Sequence, residues 1–212
     1  MKYERIPLGP LQTNGYIIYK DREGLIVDPG GEADFLLGRI KELNIKVHAV
    51  LLTHAHFDHI GALEKVREEL QCPVYLHEAE NEWLENTKLN GSGVFPGIEE
   101  ISCKKAENLW TEEGEKEIGP FAFYLFETPG HSPGSVTYYF LHENLAFSGD
   151  VLFRGGVGRT DLTGGSQEVL LDSIHEKLLL LPDETEILNG HGPETTIGEE
   201  KETNPFINGF GW

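Results

Sequence analysis

One stretch, Thr53-His54-Ala55-His56-Phe57-Asp58-His59, constrains this chain more than any other. Three imidazoles and one carboxylate fall between positions 54 and 59, directly after the apolar run Val47-His48-Ala49-Val50-Leu51-Leu52. That run reads as a buried strand. The histidines therefore leave the strand at its C-terminal end, where open α/β sheets place their ligands. Neutral imidazole is the commonest metal-binding side chain and favours Zn, Fe and Cu over Mg or Ca. The spacing is not that of a zincin helix, whose ligands stand at i and i+4. In an extended segment His54 and His56, two apart, point the same way and can share one cation. Asp58 and His59, past the bend, can reach a second.

Four further features each follow an expected strand. They are Thr128-Pro129-Gly130-His131-Ser132-Pro133-Gly134, Ser148-Gly149-Asp150, Asn189-Gly190-His191-Gly192 and Asp28-Pro29-Gly30-Gly31. Glycine beside each residue allows a close approach to a crowded centre. Asp28 has no histidine in its own turn, and its carboxylate suits outer orientation of a ligand imidazole. A single histidine in a turn is ordinarily solvated. Five histidines and two aspartates collected at strand ends are hard to explain by turn chemistry.

The pattern between these points gives the fold class. Strands are expected at Thr13 to Tyr19 and Leu25 to Val27, and the spacing of Ala33, Leu36, Leu37, Ile40 and Leu43 predicts a helix over Glu32 to Asn44. The strand ending at Leu52 follows. A helix through Ile60, Leu63, Val66 and Leu70 then stops at Pro73, with a strand at Val74 to Leu76 and a short helix at Glu78 to Glu85. Asn86 to Glu100, with Asn90-Gly91-Ser92-Gly93 and Phe95-Pro96-Gly97, excludes regular structure and reads as a lid, a binding loop or a connector. Strands are expected at Lys116 to Ile118, Phe121 to Glu127, Val136 to Leu141, Leu145 to Ser148 and Glu186 to Leu188. Ser166 caps a helix predicted to run to Leu181, closed by Pro182. The order predicts an α/β protein with two sheets face to face and helices outside, a four-layer αββα sandwich forming one domain over residues 1–212.

Composition narrows the function. With 36 acidic against 17 basic residues the net charge is −19, which repels a phosphate backbone, so nucleic acid is not an expected partner. No apolar run approaches a membrane span, and Met1-Lys2-Tyr3-Glu4-Arg5-Ile6-Pro7 has no apolar signal core, so neither a membrane nor secretion is expected. Cys72 and Cys103 show no metal or disulfide spacing and read as ordinary thiols of a reducing cytoplasm.

The run T-H-A-H-F-D-H, followed by G-H-S, G-D and G-H-G, resembles the metallo-β-lactamase superfamily, and most closely its glyoxalase II-like, or hydroxyacylglutathione hydrolase-like, branch. The resemblance extends from Leu8 almost to Phe206 and includes Leu25-Ile26-Val27-Asp28-Pro29-Gly30 and Gly158-Arg159-Thr160-Asp161. It implies one metal on His54, His56 and His131, a second on Asp58, His59 and His191, and Asp150 bridging them. The two divalent ions are expected to be Zn, with Fe or Mn permitted by an all-nitrogen and oxygen donor set. The implied reaction is hydrolysis of a small-molecule thioester, with a hydroxide shared by the metals attacking the acyl carbonyl and Asp58 orienting the water or carrying its proton. A thiolate leaves without protonation, whereas a peptide amine needs a general acid, and no spare histidine lies near the cluster. Thioesters, or activated esters and lactones, are favoured over amides.

The full glyoxalase II form has a C-terminal helical domain, for which the stretch from Ile197 to Trp212 is too short. Arg159 fills the basic position that contacts the thiol carrier and is a candidate for a substrate carboxylate, or else a partner for Asp161. Thr160-Asp161 replaces the family's aromatic. Phe57 is expected to line the pocket. The alternative implied by the same motifs is a mononuclear iron persulfide dioxygenase on His54, His131 and Asp150. His48, His77, His142 and His175 read as packing, turn or surface residues, and Trp83, Trp110 and Trp212 as core or surface anchors. Asn204-Pro205-Phe206 resembles a recurrent family tail without an assigned role.

Overall fold

The structure, a computed structural model, describes residues 1–208, so Trp212 lies outside the described residues. The chain divides into two compact units, the first comprising Met1–Thr111 with Glu117–Phe121 and the second Glu112–Lys116 with the chain from Ala122 onward.

The first unit opens with a hairpin of β1 (Lys2–Leu8) and β2 (Thr13–Lys20), antiparallel from Leu8 opposite Thr13 to Lys2 opposite Tyr19. β1 was not expected from sequence. It holds Lys2, Glu4 and Arg5 and an exposed Pro7, with Leu8 its one buried residue, the composition of a sheet edge rather than of a core strand. β3 (Glu23–Val27) returns antiparallel to β2, and α1 (Ala33–Leu43) crosses to β4 (Lys46–Leu51), which runs parallel to β3. Asn44 ends α1 in the left-handed conformation, its N–H donating back to Ile40 and Lys41 carbonyls. The single helix expected after His59 is two: α2 (Phe57–Ile60) and α3 (Leu63–Leu70). The Ala62 N–H leaves the helical ladder at the break and donates to the Pro29 carbonyl at 2.9 Å, an approach that Gly61 permits because a Cβ there would stand 2.3 Å from the Gly30 carbonyl oxygen. β5 (Val74–His77) leads to the expected short helix, a 3-10 helix at Glu78–Trp83, and the sheet closes with β6 (Asn108–Trp110), too short to show a period. Strand order is β1-β2-β3-β4-β5-β6. Ile17, Ile26, Val50, Leu52, Leu63, Val66 and Val74 form a continuous core with Leu36 and Ile40 of α1.

Residues 86–100 hold no regular element, as expected, yet they are pinned. Buried Asn90 donates to the Trp83 and Ile101 carbonyls and accepts from the Ser92 N–H and hydroxyl.

The second unit's sheet has the order β14-β13-β10-β9-β8-β7. Its strands are β7 (Gly114–Ile118), β8 (Phe121–Glu127), β9 (Val136–Phe140) and β10 (Leu145–Gly149), then β13 (Glu186–Asn189) and β14 (Thr195–Thr196). Between them stands a small hairpin, β11 (Leu152–Phe153) with β12 (Gly156–Val157). α4 covers Gln167–Glu176, with the Ser166 hydroxyl accepting from the Val169 N–H as the sequence predicts. It ends five residues before the expected Leu181, giving way to a 3-10 turn at Leu178–Leu180, and α5 (Ile197–Thr203) follows β14. Leu170, Ile174, Leu178, Ile187 and Ile197 close this unit's core.

Candidate metal centre

In the first unit, β3 and β4 end side by side. Val27 pairs with Leu51, and the Asp28 N–H donates to the Leu51 carbonyl, so the turn after β3 faces the turn after β4. Asp28 is almost wholly buried and holds φ +47°, a conformation a non-glycine residue adopts at a cost. Its carboxylate repays that cost with three bonds. Oδ1 accepts from the Thr53 N–H at 2.8 Å, and Oδ2 accepts from the Thr53 hydroxyl at 2.6 Å and from His59 Nδ1 at 2.9 Å.

These bonds decide ring chemistry. A carboxylate only accepts, so His59 carries its proton on Nδ1 and its lone pair on Nε2. The Thr53 hydroxyl, having given its proton to Asp28, accepts from His54 Nδ1 at 3.1 Å and fixes the same tautomer there. Both rings are fully buried. The ring of His54 lies 4.0 Å from that of His59 and 4.7 Å from that of His56, centroid to centroid. Asp58 Oδ2 accepts from the Thr13 hydroxyl at 2.6 Å and stands 3.6 Å from His59 Nε2. Three buried imidazoles and a buried carboxylate thus gather at one turn, held by outer oxygen partners.

The main chain is fixed as tightly. A Cβ on Gly30 would fall 2.0 Å from the Asp58 carbonyl oxygen, so the turn after β3 and the start of α2 touch backbone to backbone. Buried Glu80 accepts from the Ala55 N–H at 2.6 Å, between His54 and His56, and the Trp83 ring lies 5.7 Å from the His56 ring. Phe57 lines a groove of about 550 Å³ with Gly30, Gly61, Glu64, Glu99 and Glu100, and its ring meets Phe95 of the 86–100 segment.

The second unit gathers its own set. The turn after β8 carries His131, the end of β10 Asp150, and the turn after β13 His191. His191 Nε2 lies 3.3 Å and His131 Nε2 3.7 Å from Asp150 Oδ2. His131 Nδ1 donates to the Arg159 carbonyl at 2.8 Å; a carbonyl cannot donate, so this ring too holds its lone pair on Nε2. Gly158 makes the approach possible, because a Cβ there would fall 2.0 Å from the Asp150 carbonyl oxygen and 3.2 Å from His131 Cβ. A proton held on Nδ1 by an oxygen partner is the arrangement metal-ligating histidines adopt. Nitrogen and oxygen donors of this kind suit a divalent transition metal.

Arg159 turns outward, its guanidinium bidentate on Asp161 at 2.7 Å to each oxygen. That pairing holds the Asp161 carboxyl down to about 2 and raises the already high Arg159. Its backbone carbonyl, not its charge, is what meets His131. Remaining histidines fall as expected: His48 bonds Glu23, His77 caps the 3-10 helix through the Ala79 N–H, His142 lies in the β9–β10 turn and His175 is exposed on α4. Trp83 and Trp110 are buried. Thr13, Glu80 and the Arg159 carbonyl were not read from sequence. Only their placement in three dimensions joins them to the histidines, and a carbonyl carries no residue signature.

Comparison with known proteins agrees with the motifs. The family model described as the metallo-beta-lactamase superfamily matches residues 8–191. The chain is 56% identical over 210 residues to "Probable metallo-hydrolase YqgX" of Bacillus subtilis, covering 99% of each. It is 38% identical over 210 residues to "Hydroxyacylglutathione hydrolase GloC" of Haemophilus influenzae, covering 98% of this chain and 99% of the relative. Among solved structures, the BLEG-1 B3 metallo-beta-lactamase superposes with a TM-score of 0.95 at 52% identity, over 97% of this chain and 99% of that one. The chain therefore belongs to the metallo-β-lactamase superfamily and has its α/β fold.

Proposed function

We propose that this superfamily hydrolase cleaves thioesters of small molecules with two divalent metal ions, most simply zinc. In this reading His54, His56 and His131 hold one ion, Asp58, His59 and His191 the other, and Asp150 serves both. The observation that carries it is the tautomer set: Asp28, Thr53 and the Arg159 carbonyl each take an Nδ1 proton and leave the Nε2 lone pair to coordinate. When bound, such ions polarise a carbonyl and bring water near neutrality as a nucleophile.

The chain's own residues supply orientation and a dry wall. In this reading Asp58, whose Oδ2 accepts from the Thr13 hydroxyl, would orient the attacking water or carry its proton. Phe57, between His56 and Asp58 in the chain, is the candidate wall of the substrate pocket in this reading. A thiolate leaving group needs no acid, and none is built into the first unit's cluster beyond the residues already bonded. Similarity to a protein named hydroxyacylglutathione hydrolase supports the thioester class. Arg159 stays a candidate for a carrier carboxylate, which would have to displace Asp161.

A second reading has its own support, since the BLEG-1 structure bears the name of a β-lactamase. Turnover of a panel containing acyl-glutathione, acyl-coenzyme A, a small aryl thioester, a lactone and a β-lactam separates the two. Thioester hydrolysis that exceeds the rest and stops on chelation is expected. Preferred cleavage of the lactam, or thioester cleavage indifferent to chelator, contradicts the proposal.

A further inference from the structure

The tail Asn204-Pro205-Phe206 has a place in the second unit. α5 ends at Asn204 because the residue before a proline is steered out of helical backbone, and Asn204 indeed takes extended angles. Its side chain is fully buried, and so is that of Glu200 one turn earlier. Asn204 Nδ2 donates to the Gly156 carbonyl at 3.0 Å and to Glu200 Oε2 at 2.7 Å, while its Oδ1 accepts from the Phe206 N–H at 3.0 Å. Glu200 Oε2 also accepts from the Gly155 N–H at 2.9 Å, and its Oε1 from the Thr195 hydroxyl at 2.5 Å. A buried carboxylate without donors would be severely penalised; here donors surround it.

The object gripped is the tip of the β11–β12 hairpin. That hairpin has only two residue pairs, Leu152 with Val157 and Phe153 with Gly156, too few to hold a shape unaided. Its outgoing arm leads directly to Gly158, which sits against the Asp150 backbone and His131, and to the Arg159 carbonyl that fixes the His131 ring. Its other arm carries Phe153, whose ring meets His191 edge-on with centroids 6.3 Å apart. All three candidate ligands of this unit therefore touch the hairpin or the residues that leave it.

We infer that Glu200 and Asn204 are a positioning pair, which clamps the hairpin tip at the Gly155 N–H and Gly156 carbonyl and thereby sets His131, Asp150 and His191. The inference rests on the metal-centre reading for its consequence but not for its geometry. Neither residue touches the reacting atoms. Asn204→Asp replaces a double donor by a carboxylate facing a carbonyl and another carboxylate, so the grip is repelled rather than merely weakened. Arg154 on Glu199, at 3.1 Å, is an exposed pair on the same tip and contributes little.

The test uses the full chain with Asn204→Asp, Asn204→Ala and Glu200→Gln. Leu178→Ala, in the same unit's core, is the control, compared at equal distance below each variant's melting temperature. Amide exchange of the peptide spanning 150–160 reports the hairpin, and competition for Zn²⁺ against a chromophoric chelator reports the centre. The clamp predicts faster exchange in that peptide and a loss of zinc affinity on the order of tenfold for both Asn204 variants, with neither change in Leu178→Ala. Unchanged exchange in Asn204→Asp, or an equal affinity loss in Leu178→Ala, overturns it. Should the unaltered chain take up no zinc, the metal-centre reading fails, and the exchange comparison alone still decides whether the pair holds the hairpin.

Discussion

At the scale of single residues, Asp28 is the most exposing position to change. It pays for a left-handed backbone and a buried charge with three donors, two from Thr53 and one from His59. Asp28→Ala releases the His59 ring and removes bonds to a charged acceptor. We expect a 10- to 100-fold fall in metal affinity, roughly the effect of losing an outer partner, measurable by chelator competition. Stability should fall by about 2–3 kcal/mol in denaturant titrations. The cysteines behave oppositely. Burial is the main cause that pushes Cys72 and Cys103 up to about 11, so both stay protonated at pH 8. Iodoacetamide at pH 8 should leave the native chain unlabelled and modify both thiols only after unfolding. Labelling of the native chain would refute their burial.

At the scale of elements, glycine decides how closely the ligand turns can approach. Gly158→Ala puts a methyl 2.0 Å from the Asp150 carbonyl oxygen, and the neighbour is backbone that cannot rotate away. The expected cost is about 1–3 kcal/mol in thermal unfolding, with a loss of turnover larger than that of an equally destabilised core variant. Much of this was legible in the chain. Strands β2, β3, β4, β8, β9, β10 and β13 announced themselves as apolar runs, and the turns bearing His131, Asp150 and His191 followed β8, β10 and β13. What stayed hidden had physical reasons. β1 is a charged edge, β6, β11, β12 and β14 are too short for a period, and the helix after His59 breaks where the Ala62 N–H turns to the Pro29 carbonyl. The outer partners were half legible. Asp28 announced itself through its Pro-Gly turn, whereas Thr13 lies 45 positions from the Asp58 it bonds and nothing in its neighbours marks it.

At the scale of the whole molecule, four proposed ligands belong to the first unit and three to the second. Ligand that binds only the folded chain adds about 2.7 kcal/mol at a hundred times its dissociation constant. Excess chelator should therefore lower the melting temperature by several degrees, and zinc should restore it; a melting curve indifferent to both would speak against resident ions. Among the described residues no helix is long and apolar enough to cross a membrane. The central claim is tested most directly by counting metal ions per chain in purified protein while following thioester hydrolysis as metal is withdrawn and returned. Two ions per chain, with activity lost and regained in step with them, is the predicted result. One iron per chain with oxygen consumed on a persulfide substrate, or thioester hydrolysis that persists in metal-free protein, would contradict it.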